Sequence, residues 1–361
     1  MSHRMVSPKA QEALALLSDL IALPSVSRDE QRAADRLQAC LEQYGLATQR
    51  HGHNVWTMAP GYRDDRPTLL LNAHLDTVKP VSGWTHDPFT PTLEPDGRLY
   101  GLGSNDDGAS LVSLLQAFLH LSARPQAYNL VYLASAEEEV SGRGGIESVL
   151  PLLPPVSFAL VGEPTGMQPA TAEKGLMVID ATALGRSGHA ARDEGDNALY
   201  HALDDIQLLR QLRLPRVSPL LGPVKTTVTQ IQAGTQHNVV PDRCTFVIDV
   251  RSNELYTNAD LLHELQALLH SRLQPRSTRL SSSACPMDHP LVRRAIALGR
   301  TPFGSPTLSD QALMPFPSMK MGPGQSSRSH TADEYILPQE IDEAIDLYIR
   351  LLDGADIEQG A

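Results

Sequence analysis

Along the first third of the chain, apolar positions recur first with a helical period and then with the period of buried strands. Ala10, Ala13, Leu14, Leu17 and Ile21 share one face of a helix that Ser7 caps and Pro8 starts. Pro24 stops it. A second amphipathic helix is expected over 30–44, with Ala33, Leu37, Cys40, Leu41 and Tyr44 inward and Gly45 as its terminator. Short apolar runs at 55–59, 68–73, 129–135 and 158–161 read as strands. Between them, 109–121 is apolar nearly all round, which predicts a deeply buried helix, and a further helix is expected near 145–153. Alternation of helix and strand predicts an α/β fold with a largely parallel sheet. In such sheets ligands bind beyond the carboxyl ends of the strands. His74, Glu137-Glu138-Glu139 and Glu163 each fall directly after a predicted strand.

The pattern changes after about Gln168. Segments 176–184, 226–233 and 244–251 alternate apolar and polar, as strands of an antiparallel sheet with one wet face do. Helices over 197–212 and 259–269 would cover the other face. Helices near 291–298 and over 338–352 then return to the first pattern. The expected architecture is a discontinuous, mostly parallel-sheet α/β domain, residues 1–167 and 282–361, with an inserted α+β unit, residues 168–281.

Composition narrows the function classes. A net charge of −12 and the absence of a basic tract argue against a nucleic-acid or anionic-membrane partner. Cys40, Cys244 and Cys285 are odd in number and widely spaced, which suits free thiols in a reducing, cytoplasmic setting and disfavours a thiolate zinc site. No apolar run reaches the length of a membrane span. The apolar N-terminal segment carries Glu12 and Asp19 and has no cleavage-site pattern, so it reads as a helix and not as a signal peptide.

The chemistry concentrates in a few places. His74 and Asp76 are two apart at a strand end, so an extended backbone turns both side chains the same way. A carboxylate beside a metal-binding histidine fixes its tautomer; alone, so short a motif is weak. Gly101-Leu102-Gly103-Ser104-Asn105-Asp106 fails as a dinucleotide fingerprint, because an aspartate stands at the third glycine position and would repel a pyrophosphate. A glycine-rich loop bearing a carboxylate suits a cation. Three consecutive glutamates at the end of a buried strand repel one another unless some bind a cation or a proton. Glu163 and His330, each in a polar loop, carry little weight singly. His51, His53, His120 and His263 read as ordinary surface histidines. Taken together, the set offers nitrogen and oxygen donors that suit Zn²⁺, Co²⁺ or Mn²⁺. An acidic residue shared between two ions roughly 3.5–4 Å apart would make a two-metal hydrolase site.

At these residues the chain resembles the dinuclear zinc deacylases and exopeptidases, the family of acetylornithine deacetylase, succinyl-diaminopimelate desuccinylase, aminoacylase and carboxypeptidase G. The likeness runs from about Ser7 to Leu352. It implies that His74 binds the first metal, that Asp76 orients it, and that Asp106 bridges both metals. It implies Glu138 as general base, Glu139 and His330 as ligands of the second metal, and Glu163 as a ligand of the first. Glutamate at 163 points to the deacetylase–desuccinylase branch. The insertion resembles the family's lid and dimerisation domain. There, Ser187-Gly188-His189-Ala190-Ala191 matches the segment whose histidine reaches a partner subunit's site, and Asn238 and Arg251 match substrate contacts. For Arg251 the role would be holding an α-carboxylate, the alternative being a strand-end salt bridge. The chain departs from the family where Asp107-Gly108-Ala109 replaces a usual lysine and glycine, where Asp193 replaces a proline, and where Ser329 replaces an alanine. The family's bridging aspartate precedes a cis peptide, expected here at Asp106–Asp107.

The implied protein is a cytoplasmic homodimer, paired through its lid, with up to two Zn²⁺ per subunit that Co²⁺ can replace. It would remove an acyl group, an acetyl in first place, from the α-nitrogen of an amino acid. N-acetylcitrulline and N-acetylornithine, intermediates of arginine biosynthesis, are the substrates expected of the closest branch. A desuccinylase, a dipeptidase or carboxypeptidase, and a binding protein for acyl-amino acids without hydrolysis are the alternatives.

Overall fold

The computed structural model describes residues 6–357. Helices α1 (Pro8–Ile21) and α2 (Gln31–Gln43) precede strands β1 (Thr48–His51), β2 (Asn54–Met58) and β3 (Thr68–His74). Helix α3 (Ala109–Ser122) and strands β4 (Asn129–Ser135), β5 (Phe158–Val161) and β6 (Ala170–Glu173) follow. Next come β7 (Met177–Leu184), α4 (Ala198–Gln211), β8 (Lys225–Ala233), β9 (Arg243–Arg251), α5 (Asn258–Leu268) and β10 (Arg272–Pro275). The chain closes with α6 (Pro290–Ala297), β11 (Ser318–Lys320) and α7 (Pro338–Leu352). It divides into two compact units, 1–171 with 285–303 and 309–361, and 172–284 with 304–308.

In the first unit the sheet runs β1-β2-β4-β3-β5-β11-β6. The central pairs β3–β4, β3–β5 and β5–β11 are parallel, and the pairs toward the edges are antiparallel. The strand β3 is buried at every position. Leu69, Leu71 and Ala73 join the cluster under α1, α2, α3 and α7, whereas Leu70 joins a smaller one with Trp56, Val131, Leu133 and Val149. Both faces are covered, and so the strand's sequence is an unbroken apolar run. Helix α3 is buried nearly all round, as its composition predicts; Phe118 is inaccessible to solvent and packs 6.0 Å from Tyr132, centroid to centroid.

In the second unit an antiparallel sheet runs β8-β9-β7-β10. Met177, Ile179, Ala181 and Ala183 alternate with wetter positions and pack with residues of α4 and α5. Asn197 caps α4, and a Thr257–Asp260 capping box starts α5. Gly188–His189 pairs with Val239–Val240, and the Ala190 N–H donates to the Asn238 carbonyl at 3.0 Å.

Tyr44, expected inward, is exposed, and strands β1, β6, β10 and β11 lie outside the expected set. The helix near 145–153 shrinks to Ile146–Val149 followed by a 3₁₀ turn, because Pro151 cannot continue an α-helical ladder. Strand β1 (Thr-Gln-Arg-His) is an edge strand with too little apolar content to stand out. Strand β11 was missed because three residues carry no readable period.

Phe118→Ala is expected to cost about 3–5 kcal/mol, because the ring's cavity cannot collapse under so closely packed a helix. Urea unfolding measures it; a loss below about 1 kcal/mol would contradict this account of α3.

Candidate metal centre

Strand ends in the first unit deliver the expected donors. His74 is the last residue of β3, Glu138 and Glu139 start a 3₁₀ turn shortly after β4, and Glu163 lies two residues beyond β5. Asp106 sits in the tight turn Ser104–Gly108 that leads into α3, and the Asp106–Asp107 peptide is cis, as expected. His330 lies in a loop before α7, at φ 59°.

The side chains converge. Asp106 Oδ1 is 3.1 Å from His74 Nε2, and its Oδ2 is 3.7 Å from His330 Nε2. Each oxygen of one carboxylate thus faces a different histidine. His330 Nε2 is 2.9 Å from Glu139 Oε2, and His74 Nε2 is 4.0 Å from Glu138 Oε2. The donor atoms of His74, Asp106 and Glu139 all lie within 4.8 Å of one another, as do those of His74, Glu138 and Glu163.

Asp76 holds the imidazole by its main chain rather than by its carboxylate. His74 Nδ1 donates to the main-chain carbonyl of Asp76 at 2.9 Å, while the Asp76 carboxylate is 3.7 Å away. That carboxylate instead accepts from the Glu138 N–H at 2.9 Å, the Glu139 N–H at 3.2 Å and the Ser27 hydroxyl at 2.6 Å. Asp76 therefore fixes the imidazole through its backbone and the glutamate turn through its side chain.

Burial and mutual repulsion set the electrostatics. Burial, then the charges of Glu163, Asp310 and Glu139, push the Glu138 carboxyl well above the usual range. Burial does the same to Glu163, with Asp106 and Asp107 adding to it and Lys320 opposing. Asp107 is pushed up to about 8 by burial and by Asp106. Burial works against a charged His74, yet the Asp106 hydrogen bond and the carboxylates around it lift the imidazole well above its ordinary value. Asp106 is the exception: burial would raise it, but His74, Ser329 and His330 hold it below the ordinary value. So many acids around two imidazoles form a cage for a divalent cation. With its nitrogen and oxygen donors it fits Zn²⁺, and His74, Asp106, Glu139, Glu163 and His330 are the residues that could hold it.

Several supporting residues went unseen in the sequence. The Asp310 carboxylate accepts from Asn72 at 2.9 Å and from Ser135 at 2.6 Å, behind His74 and the glutamates. Buried Glu30 accepts from the Arg28 N–H at 2.6 Å and the Glu137 N–H at 3.2 Å, and meets His53 Nδ1 at 2.6 Å. Asn105 and Glu334 join the Asp106 turn to the His330 loop. Asn105 lies within the glycine-rich stretch before Asp106, but its partners and those of the other residues are distant in sequence and gave no local signal. Asp107, noted only as a departure, is a buried carboxylate beside Ser110 and the His74 main chain.

His189, Asn238 and Arg251 lie in the second unit. His189 is exposed, and its Nδ1 accepts from the Ala191 N–H at 3.1 Å. Arg251 makes a two-pronged ion pair with Asp249, at 2.8 and 3.1 Å, so the strand-end salt bridge is present.

Residues 70–354 match the model of the peptidase family M20/M25/M40. The chain is 31% identical over 294 residues to an acetylornithine deacetylase of Proteus mirabilis, covering 74% of each protein. It is 32% identical over 296 residues to that of Salmonella newport, covering 74% of this chain and 75% of the relative. Its fold is shared with an aminopeptidase of Bacillus cereus, with TM-score 0.76 and 19% identity over 97% of this chain and 99% of that one. A Bacillus subtilis protein described as a dinuclear metal-binding peptidase gives TM-score 0.72 and 17% identity over 95% and 97%.

Two outcomes follow from the electrostatics. Loading the metal-free protein with Zn²⁺ at neutral pH is expected to release protons from the raised carboxyls, read with a pH indicator in weak buffer; proton-neutral binding would contradict the crowding. The second concerns Asp333, which accepts from Thr85 and His86 and so secures the His330 loop. Burial opposes its charge, but those bonds together outweigh it and hold the carboxyl at about 2. A depressed carboxyl stabilises above its unfolded value and loses that contribution as pH falls through its folded one. The stability gap between the parent and Asp333→Asn is therefore expected to narrow between about pH 4 and pH 2, read by thermal melts; a constant gap would count against it.

Proposed function

The chain belongs to the peptidase family M20/M25/M40, and from that premise we propose that it deacetylates the α-nitrogen of an amino acid, N-acetylcitrulline or N-acetylornithine. It is a metal-dependent hydrolase. The observation that carries the reading is the Asp106 carboxylate, with one oxygen toward His74 and the other toward His330. That is the arrangement a carboxylate shared by two ions requires.

When bound, Zn²⁺ supplies Lewis acidity that polarises the scissile carbonyl and makes a nucleophile available at neutral pH. The chain's own groups do the rest. His74, Asp106 and Glu163 would hold one ion, and Asp106, Glu139 and His330 the other. Glu138 takes the proton from the attacking water and returns it to the departing amine. Asp76 serves the step by fixing the backbone of Glu138 while it sets the tautomer of His74.

Asn238 and Arg251 are the proposed contacts to the substrate's polar groups, with Arg251 exchanging Asp249 for an α-carboxylate. The protein would act as a cytoplasmic homodimer in arginine biosynthesis, with His189 serving the partner's site. The edge position of β8 in its sheet, with Ile231 about half exposed, supports pairing through that unit. The acetylornithine deacetylase relatives favour acetyl over succinyl or peptidyl substrates, and the complete donor set opposes a purely binding role.

Glu138→Gln is expected to abolish turnover while Zn²⁺ content stays at the parent's level, read by deacylation assay and metal analysis. Near-normal activity in that variant would sink the general-base assignment. A panel of acetylcitrulline, acetylornithine, succinyl-diaminopimelate and dipeptides tests the substrate, with the highest kcat/KM expected on one of the acetyl compounds.

A further inference from the structure

The Asp106 turn and the His330 loop lie far apart in the chain, yet their proposed metal donors must sit a few ångströms apart. His330 cannot be placed by its own packing, because its side chain is 53% exposed. The neighbours on either side hold it. One oxygen of Glu334, Oε1, accepts from the Asn105 N–H and the Asp106 N–H, each at 2.9 Å. The Glu334 main-chain carbonyl accepts from the Gly101 N–H at 3.0 Å. In the other direction the Asn105 side chain does what a neighbouring strand's backbone would do. Its Oδ1 accepts from the Gln325 N–H at 2.9 Å, and its Nδ2 donates to the Gln325 carbonyl at 3.1 Å and to the Ser329 hydroxyl at 3.2 Å.

Both side chains are buried. Gly324, at φ +80°, lies against Asn105 Oδ1 where a Cβ would collide, so the loop closes on that amide only as glycine. Ser329, where the family commonly has alanine, lies between Asn105 and the Asp106 carboxylate. Stability alone would not select this arrangement. A buried glutamate gripping the backbone beside another buried carboxylate costs desolvation and repulsion that an apolar contact would avoid. What it gains is position, since outer partners of metal ligands fix their geometry.

We propose that Glu334 and Asn105, with Ser329, are positioning residues that lock the Asp106 turn to the His330 loop and so set the spacing of that half of the metal site. The inference rests on the ligand assignment above. Glu334 grips main-chain N–H groups, so an acceptor oxygen matters more than a charge.

The test is Zn²⁺ affinity of the purified full chain by competition with a chromogenic chelator, for the parent, Glu334→Ala, Glu334→Gln, Asn105→Ala and Ser329→Ala. Melting temperatures of the metal-free proteins control for folding. Glu334→Ala and Asn105→Ala are expected to weaken the more loosely held Zn²⁺ by about 10–100-fold. Glu334→Gln, which keeps an acceptor for both N–H groups, is expected to recover most of that loss. Ser329→Ala removes the hydroxyl between Asn105 and the Asp106 carboxylate and is expected to weaken the same ion to a smaller extent without lowering the metal-free melting temperature. If the alanine variants at 334 or 105 fail to fold, Ser329→Ala and Glu334→Gln decide. Affinity equal to the parent's in Ser329→Ala, or a Glu334→Gln as weak as a charge-loss mechanism requires, overturns the lock. A parent that binds no Zn²⁺ would overturn the ligand assignment and the lock with it. A parent that binds Zn²⁺ with variants unchanged overturns the lock alone.

Discussion

Buried carboxylates that repel one another are the constraint on which the rest of this structure turns. Asp106, Glu138, Glu139 and Glu163 are brought to one place with two imidazoles. Burial there pushes Glu138 and Glu163 toward the neutral form. In water each would ionise freely, and in a folded interior they need positive charge among them. Two histidines are too few. A cation makes the cluster compatible with a closed core, and the surrounding fold is arranged to present its donors inward.

The parallel strands supply that arrangement. Because β3 and its neighbours β4 and β5 run the same way, their last residues fall on one side of the sheet, and the turns after them meet. Where a turn needs fixing, the fold uses carboxylates pointed at main-chain N–H groups. Asp76 grips the glutamate turn, Glu30 grips its start at Glu137, and Glu334 grips the Asp106 turn. Each buries an acid that is not a proposed ligand.

Much of the first unit was legible in the chain. The period of Ala10 through Ile21, the unbroken run at β3 and the all-apolar α3 each follow from how many faces an element must cover. The candidate donors were legible because they stand next to such runs. Two kinds of information were not. Short pieces such as β11 hold too few residues to show a period, and their place in the sheet is decided by long-range pairing. Supporting residues such as Asp310, Asn105 and Glu334 act through contacts more than two hundred positions away in sequence. The role of Asp76 was half legible. The two-residue spacing put it beside His74, but the partner of its carboxylate, the backbone of Glu138 and Glu139, depends on the turn after another strand.

The two histidines differ in a way that bears on time rather than affinity. The His74 side chain is sealed from solvent at 2% exposure, beneath the chain it terminates, whereas that of His330 is open at 53%. If the proposed ligands hold two ions, the one on the His74 side would rest on a donor enclosed by packed residues, and the one on the His330 side on a donor that is itself half exposed. Exchange would then be slower at the first position than at the second.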